Sequence, residues 1–122
     1  MLAVWVALLL ALGPLDSLPS GVVEGRVVDA GDGRPLVGAQ VVFGDSLAVR
    51  TDSEGRFRFA GLRAGTRRFM VRSIGYGPLR SRVRLPARHG LRLEVGLNVW
   101  MICLDSCPRQ PEPEPGYVRI VP

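Results

Sequence analysis

Across residues 21–97 apolar and polar positions alternate with a period of two, and no stretch sustains the 3.6-residue period of an amphipathic helix. Such alternation puts successive side chains on opposite faces of a strand. The first segment sets Val23, Gly25 and Val27 on one face and Glu24, Arg26 and Val28 on the other. Residues 39–43 and 47–51 follow as strands, then 56–60, where Phe57 and Phe59 oppose Arg56 and Arg58. In 68–74, Phe69 and Val71 share a side. In 79–85, Leu79, Val83 and Leu85 face away from Arg80, Arg82 and Arg84. The last segment, 91–97, sets Leu91, Leu93, Val95 and Leu97 against Arg92 and Glu94. Turn chemistry separates these runs: DAGDGRP at 29–35, DSEG at 52–55 (expected as a four-residue hairpin connection), and glycine-rich breaks at 61–66 and 75–77. Segments with one apolar side bury it by packing two sheets face to face. The expected fold is all-β, a seven-stranded two-sheet β-sandwich. Phe57 and Phe59 should each contribute roughly 1.5–3 kcal/mol to its core.

The flanks differ from this body. Residues 2–12 are an unbroken apolar run, too short for a helix to cross ~30 Å of hydrocarbon but suited to the core of a secretory signal. Residues 1–20 are therefore expected as a signal peptide, with a secreted, periplasmic or cell-envelope destination and no transmembrane anchor in the mature chain. A buried N-terminal strand or helix is the alternative. The sandwich is expected over 21–104, where the apolar NVWMICL (98–104) either extends the last strand or caps an open end; an exposed Trp100-Met101-Ile102 would mark a contact surface. Residues 105–122 form a Pro-rich tail. Within it PRQPEPEP (108–115) suits an extended spacer, and GYVRIVP (116–122) reads as an unstructured end, with addition to a sheet edge as the alternative.

A chain of 122 residues, 47% hydrophobic and 22% charged, suits one globular domain. One His and two Cys are too few for most metal cages or imidazole-based catalysis. His89 falls in a solvated loop, so no catalytic residue, metal ligand or cofactor is expected. Cys103 and Cys107 (CLDSC) are expected to pair as a disulfide in an oxidising compartment, closing a small loop worth about 2–3 kcal/mol. A redox-active pair is the alternative, although the spacing is not C-x-x-C.

The net charge is +5, and all 16 basic residues are Arg. Guanidinium stays charged at any working pH and makes fork-shaped bonds to carboxylate and phosphate. The alternation turns Arg56, Arg58, Arg68, Arg72, Arg80, Arg82, Arg84 and Arg92 away from the core, with Glu94 the lone acid among them. On neighbouring strands these would stack as a ladder whose like charges cost stability. The ladder is either a solvated face or the seat of an anionic partner, without specific nucleic-acid recognition. A neutral carbohydrate would instead need an aromatic platform, for which Tyr76, Trp100 and Tyr117 are the candidates.

Three blocks carry a family resemblance. GRVVDAGDGRPLVGAQVVF (25–43) resembles the opening of carboxypeptidase regulatory-like domains, G-x-V-x-D, a Gly-rich turn, P-L-x-G-A and V. TDSEGRFRFAGLRAG (51–65) is similar to that family's T-D-x-x-G-x-F-x-F/L-x-x-L-x-x-G, and SIGY (73–76) to its S-x-x-G-Y. The resemblance spans 22–97 and implies a transthyretin-like sandwich acting as a non-enzymatic structural or interaction module. It also implies that Gly38 and Ala39 permit close strand approach, that Asp52 caps a turn made by Gly55, and that Phe57 and Phe59 fill the core. Such domains occur beside metallocarboxypeptidases, ahead of TonB-dependent receptor plugs and in bacterial surface proteins. Nothing after residue 97 looks like a protease, plug or barrel, which leaves an unknown protein or cell-envelope component as the expected partner.

Overall fold

Strands form where the alternation predicts them, and one more forms in the tail. In a computed structural model, which describes residues 18–100 and 116–121, the elements are β1 (Val23–Asp29), β2 (Gln40–Phe43), β3 (Leu47–Arg50), β4 (Arg56–Phe59), β5 (Gly65–Arg72), β6 (Leu79–Leu85), β7 (Leu91–Leu97) and β8 (Tyr117–Val121). They make two four-stranded sheets. The first runs β4-β1-β7-β8 and the second β3-β2-β5-β6. β1 and β7 are parallel, and the other pairs are antiparallel.

The predicted inner faces meet between the sheets. Phe43 and Phe69 from the second sheet and Phe57 and Phe59 from the first form one aromatic cluster with centroids 5.6–6.1 Å apart. Tilted and edge-on pairs of this kind add about 0.5–1.5 kcal/mol beyond area burial. Val23, Val27, Val41, Val71, Val95 and Leu97 close the remaining space and are fully buried. Gly25 also faces inward: it lies between Phe57 and Leu93 in the register, and a Cβ there would overlap the Phe57 ring and the Leu93 carbonyl. Gly38 works differently from the expectation. Nothing crowds its Cβ position, and its φ of +73° is what requires glycine.

Several boundaries depart from the sequence reading. β5 begins at Gly65, not residue 68, because Gly65–Arg67 continue the ladder with Leu85–Val83 of β6. It ends at Arg72, where a turn closed by Tyr76 N–H on the Ser73 carbonyl leaves Ile74 fully exposed. The connection at 52–55 is not a hairpin. β3 pairs with β2 and β4 with β1, so this turn carries the chain from one sheet to the other. Thr51 anchors the crossing point, accepting from Ala39 N–H at 2.8 Å and donating to the Leu36 carbonyl. Asp52 then caps the turn as expected, accepting from the N–H groups of Glu54 (2.9 Å) and Arg56 (2.8 Å), with Gly55 at φ +74°.

Residues 117–121, read as an unstructured end, form the strand β8 on the open side of β7. Residues 18–20 also belong to the folded body, since Gly90 N–H donates to the Leu18 carbonyl at 2.9 Å. The apolar run expected as a signal lies outside the described residues, as do Met101, Ile102, Cys103, Cys107 and the 108–115 spacer.

Candidate functional site

Every one of the eight predicted outward arginines does face away from the core, but they do not share a face. Arg56, Arg58 and Arg92 stand on the first sheet, while Arg68, Arg72, Arg80, Arg82 and Arg84 stand on the second. The sandwich separates the two groups by its full thickness, because strand order, which alternation does not encode, assigns β4 and β7 to one layer and β5 and β6 to the other.

On the first sheet acids stand among the bases, and the one opposed like-charge pair, Arg26 and Arg56, has Glu54 beside it. The register places Glu24 between Arg58 and Arg92, and sets Arg26 between Arg56 and Glu94, with Arg119 of β8 beyond Glu94. Arg92 Nε lies 3.3 Å from Glu24 Oε1, Arg119 Nη2 lies 3.7 Å from Glu94 Oε1, and Arg56 Nη1 lies 3.1 Å from Glu54 Oε2. These half-exposed pairs are each worth under about 1 kcal/mol, yet they satisfy the charge locally. Glu24 and Arg26 belong to this group as well, so Glu94 is not the lone acid among the outward arginines.

On the second sheet the neighbours of arginine are arginine or neutral. Arg68 lies directly opposite Arg82, Met70 opposite Arg80, and Thr66 opposite Arg84. Val42 adjoins Met70, and Gln40 adjoins Arg72. Arg72 Nη2 donates to Gln40 Oε1 at 2.7 Å, a neutral partner. Among the described residues no carboxylate forms an ion pair with Arg68, Arg72, Arg80, Arg82 or Arg84. A groove of about 590 Å³ runs over this face, lined by Val42, Met70, Arg68, Arg80 and Arg82, with Asp45 as its single acid. Strand spacing sets the guanidinium stems about 4.8 Å apart across β5 and β6 and about 6.8 Å apart along β6. That array matches closely repeated anionic groups.

One end of the sandwich carries a polar clasp. Tyr76 donates to Asp29 Oδ2 at 2.8 Å, while Asp29 Oδ1 accepts from Gly31 N–H at 2.7 Å and Asp32 N–H at 3.3 Å. The Tyr76 hydrogen bond, aided by the Gly31 N–H, holds the Asp29 carboxyl below the usual carboxylate range and pushes the Tyr76 hydroxyl up. The backbone N–H groups of Arg56 and Glu54 likewise lower Asp52. Both carboxylates are thereby committed to holding turns.

The aromatic platform candidates are likewise engaged. Tyr76 is half-buried in the clasp. Trp100 is half-buried, its N–H enclosed and its backbone N–H donating to the Gly75 carbonyl at 2.8 Å. Tyr117 lies against Gly96 with the Arg119 guanidinium 4.7 Å above its ring. His89 sits exposed in its loop with Nδ1 2.9 Å from the Gly90 carbonyl oxygen. Among the described residues no three His, Cys, Asp or Glu side chains gather as a metal cage, and no helix is long and apolar enough to cross a membrane.

Two stacked four-stranded sheets with a Phe-filled interior, an Asp-capped crossing turn and a Tyr–Asp clasp define a transthyretin-like sandwich. The chain belongs to the carboxypeptidase regulatory-like domain family, whose model matches residues 22–98. Comparison with curated proteins gives no match. Among solved structures it is similar to the hydroxyquinol 1,2-dioxygenase of Pseudomonas putida DLL-E4, at 14% identity and a TM-score of 0.55, covering 70% of this chain and 58% of that one. It is also similar to a streptococcal ancillary pilin, at 22% identity and a TM-score of 0.50, covering 68% of this chain and 30% of the pilin. The chain thus spans less than two thirds of either structure, and at these identities the likeness is one of fold alone.

Proposed function

We propose that this protein is a non-enzymatic exported interaction module that holds an acidic cell-envelope component on the outer face of its second sheet. The observation that carries the reading is the pairing of Arg68 with Arg82 beside Arg72, Arg80 and Arg84, without an acid in ion-pair contact among the described residues. Like charges opposed across a ladder cost stability, and an anionic partner reverses the sign of that term. Membership of a regulatory-like domain family supports a binding role over a catalytic one. The first sheet, with arginines of similar number, supplies the internal control because Glu24, Glu94 and Glu54 pair with Arg92, Arg119 and Arg56 there.

The test is retention on an immobilised sulfated polysaccharide as salt is raised. Wild-type chain should be retained and released by salt, since guanidinium–anion contacts are screened and displace counterions. The double substitution Arg68→Glu/Arg82→Glu should lose retention, whereas Arg58→Glu/Arg92→Glu should lose far less. Retention indifferent to salt, or equal loss from both variants, would remove the second sheet from the account.

A further inference from the structure

The matched family region ends at residue 98, and β8 lies beyond it. Without it β7 is the edge of the first sheet. That strand is Leu91–Leu97, with Leu91, Leu93, Val95, Gly96 and Leu97 buried, and its open side is a row of backbone N–H and C=O groups. Such an apolar edge is a template for pairing with another strand.

β8 fits this edge in three ways. Tyr117 fills a notch at Gly96, where any Cβ would overlap the ring. Arg119 meets Glu94 and covers the Tyr117 ring. Val118 packs against the core, opposite Val95. In the opposite direction β8 is paired with β7 alone among the described strands, and Ile120, although in register with buried Leu93, is 65% exposed. Gly116 abuts the Gly96 carbonyl and Leu97. A two-residue turn would close the gap between Leu97 and Gly116, yet Asn98, Val99 and Trp100 are held against residues 75–77 and a further 15 residues follow, enough for a reach of roughly 50 Å at full extension. The connection contains Pro108, Pro111, Pro113 and Pro115, none of which has a backbone N–H to donate.

We propose that the β7 edge is a strand-acceptor site, filled within one chain by its own β8 and open to the β8 of a second copy, so that two copies link by reciprocal exchange of this strand. The Tyr117–Gly96, Arg119–Glu94 and Val118 contacts are the same in both arrangements. The balance between them is set by the effective concentration of the tethered strand, on the order of millimolar for a flexible connection and lower for a stiff one.

The experiment mixes donor-labelled and acceptor-labelled samples of the full chain near ~1 mM total, with a thiol reductant present so that Cys103 and Cys107 cannot join copies. Energy transfer and a dimer by light scattering are expected. Replacing residues 99–115 with one glycine leaves an Asn98-Gly turn that seats β8 in its own chain, and this variant should stay monomeric with its β8 amides protected from exchange. Gly96→Val fills the Tyr117 notch and should abolish the dimer while unprotecting the amides of 117–121. A full chain that remains monomeric at that concentration overturns the proposal, and so does a short-turn variant that dimerises as the full chain does. Neither outcome bears on the anion-binding face, which lies on the other sheet.

Discussion

The two outer faces of this sandwich are written in the same alternating script, arginine every second residue, and differ in what stands beside each arginine. On the first sheet β1 contributes Glu24 and β7 contributes Glu94, so carboxylates intervene between cations and ion pairs form at 3.3 and 3.7 Å. On the second, β5 and β6 bring Arg68 against Arg82, and the neutral side chains Val42, Met70 and Gln40 occupy the positions where acids would stand. The comparison teaches that the charge of a sheet face belongs to neighbouring strands jointly, not to any one of them. A face that leaves its like charges unrelieved is the one with electrostatic energy to gain from an anion.

The largest perturbation removes the comparison altogether. Phe69 lies under the second sheet and touches the aromatic side chains of both layers. Phe69→Ala should cost about 3–5 kcal/mol, read as a shift in the denaturation midpoint, and retention should fall with the folded fraction. Loss of retention without that destabilisation would mean Phe69 has some role beyond filling the core.

Smaller effects come from the clasp, which leaves both charged faces intact. Tyr76→Phe should cost about 1–2 kcal/mol, since it leaves the Asp29 carboxylate short of one donor, and should leave polyanion retention unchanged. Acid response sharpens this. A carboxyl whose folded pKa lies below its unfolded one stabilises fully above the unfolded value and loses that contribution as pH falls through the folded one. Asp29 and Asp52 are both lowered, so their stabilisation is complete at neutral pH and fades below about pH 4. Melting temperature against pH should therefore fall less steeply on the acid side in Asp29→Asn than in the parent. A parallel pair of curves would mean the clasp does not titrate.

The smallest stability change breaks the comparison from the other direction. Glu24→Gln with Glu94→Gln strips the outer face of the first sheet of the acids its strands carry there, leaving Asp29 in the clasp, and should cost under about 1 kcal/mol. Chromatography on the same sulfated matrix should then show stronger retention, because a second uncompensated face has been made. No gain in retention would indicate that matched charge is not what silences the first sheet.

Much of this was legible along the chain. Strand positions followed from alternation, and Phe57, Phe59 and Phe69 sit as their spacing implied, whereas the 52–55 turn, capped by Asp52 as expected, crosses between sheets instead of closing a hairpin. The outward direction of each arginine was equally readable, since a period of two fixes sides. What alternation lacks is strand order. Nothing in RFRF or RSRVRL says which sheet it joins, so the arginines seemed one ladder when they are two faces. Glu24 escaped notice for the same reason, as its partners Arg58 and Arg92 are distant in sequence and meet it only through the β4-β1-β7 order. β8 was hinted at by the alternation of YVRIV, and the glycine that receives Tyr117 is recognisable only once β7 and β8 are in register.

The central claim is most directly met by a titration of isotope-labelled protein with a sulfated oligosaccharide, following the Nε–H resonance of each arginine by NMR. The account predicts that Arg68, Arg80, Arg82 and Arg84 shift together and saturably, while Arg58 and Arg92 stay in place. Shifts concentrated on Arg58 and Arg92, or spread evenly over both sheets, would contradict it.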